Sequence, residues 1–238
     1  MAIVLPDSSL PYILFQRTDY LVLPKNKLLY RVICKLSNRT PIATAISLES
    51  RFRKGEIKRV FNIDMAQEYA DIRDWLPPDA SAILDVGCGI GGIDILLFHH
   101  YKDDPNLHLY LLDKSQMTDQ VTYGFKDRGE FYNSLDLTRE ILILNGVADR
   151  SIRILEARDD GGIDIDEGLD LVISLISWGF HYPVGLYLDR VHELLKPGGR
   201  LILDVRKDTG GIEAIEAKFG NAAVISEGGK NLRLAATR

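Results

Sequence analysis

The sequence predicts an α/β protein built on a doubly wound, mainly parallel sheet with helices on both faces. From Val60 onward, short apolar runs of strand length alternate with longer segments of helical length, which indicates repeated strand–helix–strand units. The runs are apolar at successive positions, as expected of strands that are buried on both faces. Hydrophobic residues make up 46% of the 238 residues, enough to form the core that such a sheet requires.

The elements follow one another in a regular order after Val60. Asn62 or Asp64 can cap a helix that runs to Trp75, and Pro77 and Pro78 end it. We place strands at Ala82–Leu84, Leu107–Asp113, Ile152–Leu155, Leu169–Ile176 and Leu201–Val205. We place further helices at Ile93–Tyr101, Leu135–Leu144, Val184–Leu195 and Ile212–Phe219. Two runs at Ala222–Ser226 and Leu232–Ala236 flank a Gly-Gly turn and predict a C-terminal hairpin that adds an antiparallel edge.

Residues 1–55 form an N-terminal extension before the main domain at residues 56–238. Tyr20–Pro24 suits a short strand, and residues 25–36 and 42–52 suit helices. The basic run from Arg51 to Arg59 is interpreted first as the solvated face of a helix. The alternative is that this extension caps a ligand site.

Gly87, Gly89, Gly91 and Gly92 form a turn between the first strand and the following helix. Glycines allow positive φ angles and a close approach of ligand to backbone. A helix that starts there presents free N–H groups and a positive dipole end. In doubly wound sheets the ligand binds beyond the carboxyl ends of the strands, where the strand order reverses. The segments after each strand should therefore converge on one nucleotide-like site.

The turn satisfies G-x-G-x-x-G, the fingerprint of a Rossmann-like dinucleotide site. Asp113 follows Gly92 by 21 residues, which suits a carboxylate that binds ribose hydroxyls. These features alone do not distinguish a nicotinamide cofactor from S-adenosylmethionine. Asp85, two residues before Gly87, favours the second, because it would repel a diphosphate and attract a methionine ammonium.

Three ordered segments resemble the class I S-adenosylmethionine-dependent methyltransferases. Residues 84–91 (LDVGCGIG) resemble motif I of that superfamily, and residues 170–174 (DLVIS) and 194–202 (LLKPGGRLI) resemble its later signatures. The resemblance covers Val60 to the C-terminus and implies S-adenosyl-L-methionine as the cofactor.

The resemblance also implies roles for individual residues. Gly87 and Gly89 would line the methionine moiety, and Asp113 would bind the ribose. A residue just after the third strand would reach the adenine; Arg158 and Asp159 lie there, and we favour Asp159. The expected cofactor site is completed by Asp85, Cys88, Gly91, Lys114 and Ser174.

The segment Ser177–Pro183 follows the fourth strand and should face the transferred methyl group. An alcohol acceptor needs a general base, and His181 is the candidate because histidine titrates nearest neutral pH. The alternative is that His181 only packs or bonds to the backbone. Trp178 and Tyr182 are expected to form a stacking wall for an acceptor ring, or else to be ordinary half-buried aromatics.

A narrower resemblance connects Tyr123–Phe125, Phe131–Leu135 and Ser177–Pro183 to a bacterial group of proposed sugar O-methyltransferases. It implies that residues 115–133 form a lid whose Tyr123, Phe125 and Tyr132 face the site. The alternative is a surface excursion with local packing. The expected partner is a small-molecule acceptor, in particular a sugar or glycoside hydroxyl.

Several classes are disfavoured. The net charge of −5 and pI near 5.6 disfavour a nucleic-acid partner, and the residues after the fourth strand lack the Pro-Pro-aromatic motif of amino-methylating enzymes. Neither Cys34 nor Cys88 is placed for cytosine C5 chemistry, and both suit a reducing, cytoplasmic compartment. Asp170 lies at the wrong end of its strand for a metal site, so no metal is expected.

Other functions stay open at this point. They are N- or phenolic O-methylation of another metabolite, an NAD-dependent oxidoreductase, and a non-catalytic cofactor-binding protein. No apolar run reaches membrane-spanning length, and the sequence leaves the oligomeric state undetermined.

Overall fold

The computed structural model describes residues 1–26, 30, 40–102, 104–117 and 132–238. The strands are β1 (Ala82–Val86), β2 (His108–Asp113), β3 (Gln116–Met117), β4 (Tyr132–Asn133), β5 (Ile152–Glu156), β6 (Leu169–Ser174), β7 (Ser177–Tyr182), β8 (Leu195–Arg206), β9 (Ala223–Glu227) and β10 (Asn231–Thr237). The α-helices are α1 (Leu10–Gln16), α2 (Pro41–Phe52), α3 (Lys54–Ile72), α4 (Gly92–His100), α5 (Leu135–Leu144), α6 (Leu188–Leu194) and α7 (Gly211–Phe219).

Seven strands form one sheet in the order β5-β2-β1-β6-β8-β10-β9. Five neighbouring strands, β5, β2, β1, β6 and β8, are parallel to one another, as the apolar runs predicted. The chain builds outward from β1 to β5 on one side and then from β6 to β8 on the other, so the order reverses between β1 and β6. This reversal is the point at which such sheets open a ligand crevice.

The C-terminal hairpin is confirmed as an antiparallel pair at one edge of the sheet. The later strand, β10, pairs antiparallel with β8 and lies inside the sheet, while β9 forms the edge. Leu234 and Ala236 on β10 are buried, whereas Val224 on β9 is 54% exposed. The more apolar contacts of β10 suit its interior position.

Local signals explain several helix boundaries. Thr40 and Ser134 cap α2 and α5 by accepting N–H bonds from Ala43 and Leu137. The predicted cap at Asn62 or Asp64 is wrong, because α3 already begins at Lys54 and ends at Ile72.

Two other local predictions differ from the structure. Residues 18–20 and 23–25 form two short 3-10 turns rather than a strand. The carboxylate of Glu49 accepts the N–H groups of Val22 and Leu23, which holds this segment in its turn conformation. The predicted fourth strand, Leu169–Ile176, ends at Ser174, and Ser177–Tyr182 forms a further strand, β7, which contacts β8.

The N-terminal extension packs into the core of the main sheet. Leu10, Ile13 and Leu14 of α1 are fully buried in one apolar cluster with Ile83 of β1 and Leu109 of β2. The basic run also makes specific contacts, because Lys54 and Lys58 both bind Asp7. Within the described ranges, none of the helices is long and apolar enough to cross a membrane.

Candidate functional site

The glycine turn joins the end of β1 to the start of α4. Gly87, Gly89 and Gly91 have φ angles of 83°, 53° and 76°, values that residues with a Cβ rarely adopt. The Gly87 N–H donates to the Leu112 carbonyl at 2.7 Å, which ties the turn to the end of β2. A Cβ at Gly87 would overlap the Ser177 side chain, with only 2.5 Å to its Cβ. The turn and the start of β7 therefore close on each other at the β1–β6 boundary.

Asp113 ends β2 directly beside this turn. Its side chain accepts the N–H of Lys114 at 2.7 Å, the N–H of Gly89 at 2.8 Å and the amide of Asn133 at 3.1 Å. Burial raises the pKa of Asp113 to about 6, although these three donors oppose the rise. The position suits the predicted ribose contact, because the carboxylate is fixed at the carboxyl end of its strand.

Asp85 and Asp94 form a buried pair of carboxyl groups beneath the turn. Oδ1 of Asp85 and both carboxylate oxygens of Asp94 have no hydrogen-bond partner outside the pair among the residues that the structure describes, and the two carboxyl groups interact with each other. Burial raises the pKa of Asp85 well above its usual range, and the charge of Asp94 raises it further. Burial also raises the pKa of Asp94 to about 7. Burying an ionised carboxylate that accepts no hydrogen bond destabilises the folded protein unless a cation or a proton neutralises its charge.

The site is therefore lined by acidic groups that hold their protons more tightly than free carboxyl groups do. Burial raises the pKa of the Cys88 thiol, and the charges of Asp113, Asp94 and Asp85 raise it further. Three carboxyl groups thus act on one thiol inside the turn. A diphosphate placed here would meet repulsion, whereas a ligand with an ammonium or sulfonium would be stabilised. The residues fit S-adenosylmethionine on this ground.

Sequence reasoning missed three residues that shape the turn. Asn133 donates to the Gly89 carbonyl at 2.6 Å, and the Thr138 hydroxyl donates to the same carbonyl at 2.7 Å. Both come from the chain around α5, and their sequence context gives no local signal. Asp94 was visible inside the glycine motif, but its pairing with Asp85 depends on how α4 packs.

Lys114 and Asp159 lie together at the β2–β5 side of the site. The Lys114 ammonium contacts Asp159 Oδ1 at 3.0 Å, and Asp159 is 66% exposed at its side chain. Arg158, the alternative adenine residue, pairs instead with Asp160 and Asp164.

Tyr187 is a further residue of this region that sequence reasoning missed. Burial raises the pKa of Tyr187 to about 12, and the charges of Asp113, Asp159 and Asp160 add to the rise. Its ring packs edge-on against Trp178 at 5.8 Å and Tyr182 at 6.4 Å.

Two predicted site residues are buried in the core. The Ser174 hydroxyl donates to the Val86 carbonyl at 2.6 Å and accepts the N–H of Trp178 at 3.0 Å. Trp178 is fully buried, and its indole N–H donates to the Val184 carbonyl at 2.8 Å. Both side chains are buried and make these bonds within the protein, while the cofactor contact of Ser174 and the stacking wall of Trp178 stay predictions.

Tyr182 and His181 end β7. Tyr182 is 6% exposed, and its hydroxyl lies 3.4 Å from Ser177 Oγ, close to the glycine turn. Burial raises the pKa of Tyr182 above its ordinary value. The His181 ring is half-buried and packs edge-to-face on Phe180 at 4.9 Å.

Two further predictions concern residues near the insertion. Tyr123 and Phe125 lie outside the described residues. Tyr132 forms β4, whose backbone pairs with β3 at the base of the insertion. Within the described ranges, no group of three or more His, Cys, Asp and Glu residues is arranged to hold a metal ion.

The N-terminal extension reaches the site through α1. Gln16 Oε1 lies 2.8 Å from the position that a Cβ on Gly89 would occupy. On the other side of the turn, Phe61 and Met65 of α3 lie 2.7 Å from the corresponding position on Gly92. The glycines are thus needed for close packing from both helices as well as for their φ angles.

Comparison with known proteins gives a fold-level result. No protein-family model matches the sequence, and no related sequence was found among curated proteins. The precorrin-6y C5,15-methyltransferase of Geobacter metallireducens superimposes with a TM-score of 0.51 at 19% identity, over 74% of this chain and 88% of that one. A proposed O-methyltransferase of Nostoc punctiforme gives a TM-score of 0.54 at 14% identity, over 96% of this chain and 70% of that one. The chain shares the Rossmann-like fold of these methyltransferase structures.

Proposed function

We propose that the protein is an S-adenosylmethionine-dependent methyltransferase that acts on a hydroxyl group of a small molecule, in particular a sugar. The observation that carries the proposal is the buried pair Asp85 and Asp94 beneath a glycine turn, with three oxygens that lack partners outside the pair in the described residues. This arrangement favours a cationic ligand over a diphosphate. It supports S-adenosylmethionine over a nicotinamide dinucleotide at a turn that otherwise suits both.

The cofactor site that we propose follows the ends of three strands. Asp113 accepts the ribose hydroxyls, and Gly87 and Gly89 approach the methionine moiety. Lys114 and Asp159 flank the adenine, with their 3.0 Å contact holding the two side chains in place. Cys88 and Gly91 contribute through the shape of the turn.

The chain's own residues supply positioning and proton transfer. When bound, S-adenosylmethionine supplies an electrophilic methyl group on a sulfonium. Ser177–Tyr182 lies at the end of β6 and orients the acceptor oxygen toward that carbon. His181 would accept the proton of the acceptor hydroxyl, because an alcohol is otherwise too weak a nucleophile. The Tyr182 hydroxyl is proposed to form a hydrogen bond with the acceptor molecule.

The N-terminal extension acts as a cap in this proposal. Gln16 touches the glycine turn, and α1 is anchored in the core of the sheet. A fixed cap excludes water from the sulfonium and so limits hydrolysis of the cofactor. Most of the predicted lid, residues 115–133, lies outside the described residues, and Asn133 at its end contacts Asp113. The buried free thiol of Cys88 supports a cytoplasmic setting.

Calorimetry with S-adenosylmethionine, S-adenosylhomocysteine and NADH tests the cofactor. We expect binding of both sulfur ligands and none of NADH. D113A should weaken S-adenosylhomocysteine binding by about tenfold or more, since it removes hydrogen bonds to a charged group. D79A is the matched control, because Asp79 is exposed and lies before β1, at the opposite edge of the sheet. Tight NADH binding without binding of the sulfur ligands would overturn the proposal.

A turnover screen tests the acceptor. Candidate sugars, glycosides, phenols and amines are incubated with the protein and S-adenosylmethionine, and S-adenosylhomocysteine is quantified. We expect turnover with a sugar hydroxyl. Turnover only with amines or phenols would support the methyltransferase activity but would refute the sugar as the acceptor.

A further inference from the structure

A buried ion pair crosses the sheet between β8 and β10. Asp204 and Arg233 face each other in register. The Arg233 guanidinium donates to both oxygens of Asp204, at 2.8 Å from Nε and 2.7 Å from Nη2. Asp204 is fully buried and Arg233 is 4% exposed. Glu68 of α3 contacts the same guanidinium at 2.6 Å, so the cation is held from two sides.

Such a pair is weak grounds for stability by itself. Removing two charges from water costs several kcal/mol each, and an apolar pair of similar size often serves equally well. We therefore ask whether the geometry of the pair holds a neighbouring part of the chain in place. The bidentate Arg233 fork fixes both carboxylate oxygens of Asp204 in place.

Asp204 uses this fixed geometry to hold the turn that follows β6. Its Oδ2 accepts the N–H of Ile176 at 3.1 Å. Ile176 has a φ of 53°, a conformation that is strongly disfavoured for a β-branched residue. Gly179 of β7 also packs closely on the backbone of Asp204, because a Cβ at Gly179 would lie 2.9 Å from the Asp204 carbonyl oxygen.

The held turn sets the position of Ser177 against the glycine turn. Ser177 follows Ile176 directly, and its side chain fills the space where a Cβ on Gly87 would lie. Backbone strain of this kind persists only where the surroundings enforce it, and it clusters at functional sites. The chain of contacts runs from Arg233 through Asp204 and Ile176 to Ser177 and the glycine turn.

We propose that Asp204 is a positioning residue that holds Ile176 in its left-handed conformation and thereby sets how Ser177 packs against Gly87 at the edge of the ligand site. The consequence for ligand affinity rests on the proposed function, since the ligand there is S-adenosylmethionine or its product. The consequence for the turn does not, because it concerns the protein without ligand. Arg233 acts through Asp204 by fixing its carboxylate.

A double-mutant cycle with D204N and I176G tests this role. Glycine adopts a φ of 53° without strain, so I176G should make the turn independent of its anchor. We expect D204N to speed amide hydrogen exchange in residues 175–179 by about tenfold or more in the wild-type background. In the I176G background the same change should be about threefold or less. The affinity for S-adenosylhomocysteine, measured by calorimetry, should show the same pattern.

D208G provides the matched control. Asp208 also has a positive φ, 61°, but among the described residues the hydrogen bonds to the Asp204 carboxylate come from Ile176 and Arg233 and not from Asp208. D208G therefore relieves similar backbone strain without changing a partner of Asp204. D204N should therefore keep its full effect in the D208G background. If D204N does not fold, R233K takes its place, because a lysine cannot donate the bidentate fork.

The outcomes separate the inference from the proposed function. Equal effects of D204N in the wild-type and I176G backgrounds would refute the positioning role and leave a purely structural ion pair. A wild-type protein that binds no S-adenosylhomocysteine would refute the proposed function, while the exchange pattern would still decide the role of Asp204.

Discussion

The buried acids Asp85 and Asp94 should make ligand binding release protons. Burial raises the pKa of both carboxyl groups, so the pair holds about one proton or more at pH 7 before the ligand binds. An opposite charge within a few ångströms lowers an acid's pKa by about 1–3 units. Each binding event should therefore release a proton fraction on the order of half to one from the pair.

Calorimetry at pH 7 in buffers with different ionisation enthalpies measures this number. S-adenosylhomocysteine carries the same ammonium as the cofactor and is stable enough for titration. The slope of the observed enthalpy against the buffer enthalpy gives the protons exchanged. We expect the wild-type protein to release on the order of half to one proton and the double variant D85N/D94N to release much less, because asparagine cannot ionise. Proton uptake, or the same release from the double variant, would refute the assignment of the cation to this pair.

Three further predictions follow from individual residues. G87A should abolish detectable S-adenosylhomocysteine binding, because the new Cβ would overlap Ser177, whereas G146A, at an equally left-handed but open position, should lose stability only. H181A should lower turnover of an alcohol acceptor by about 100-fold or more while the affinity for S-adenosylhomocysteine stays unchanged; equal turnover would refute the general base. The free energy of unfolding should fall as pH rises from about 4 to about 7, because the folded state holds the Asp94 proton that the unfolded state has lost. D94N should not show this part of the fall in a urea titration at each pH, and a parallel fall would contradict the cause.

The layout of the sheet could be predicted from the sequence because its signals are local. The apolar run at β1, the glycine turn and the acid at the end of β2 each show their role within a few residues. The convergence of Gly87 and Asp113 then follows from the rule that parallel strands share one carboxyl edge. The C-terminal hairpin could be predicted from its turn, but the sequence does not indicate which of its two strands pairs with β8, and that pairing determines the burial of β10.

The side-chain contacts of the site could not be predicted, because they join distant segments. Asn133 and Thr138 lie more than 40 residues from the Gly89 carbonyl that they bind. The pairing of Asp204 with Arg233 depends on the register of two antiparallel strands. Trp178 illustrates a different limit. Its residue type suits both a core and a binding wall, and the sequence alone does not distinguish them.

The most direct test of the central claim is a crystal structure of the protein with S-adenosylhomocysteine. The account predicts the ribose hydroxyls on Asp113 and the ammonium on the side of the glycine turn that faces Asp85 and Asp94. A ligand bound elsewhere, or an NADH complex with its diphosphate on the glycine turn, would contradict it.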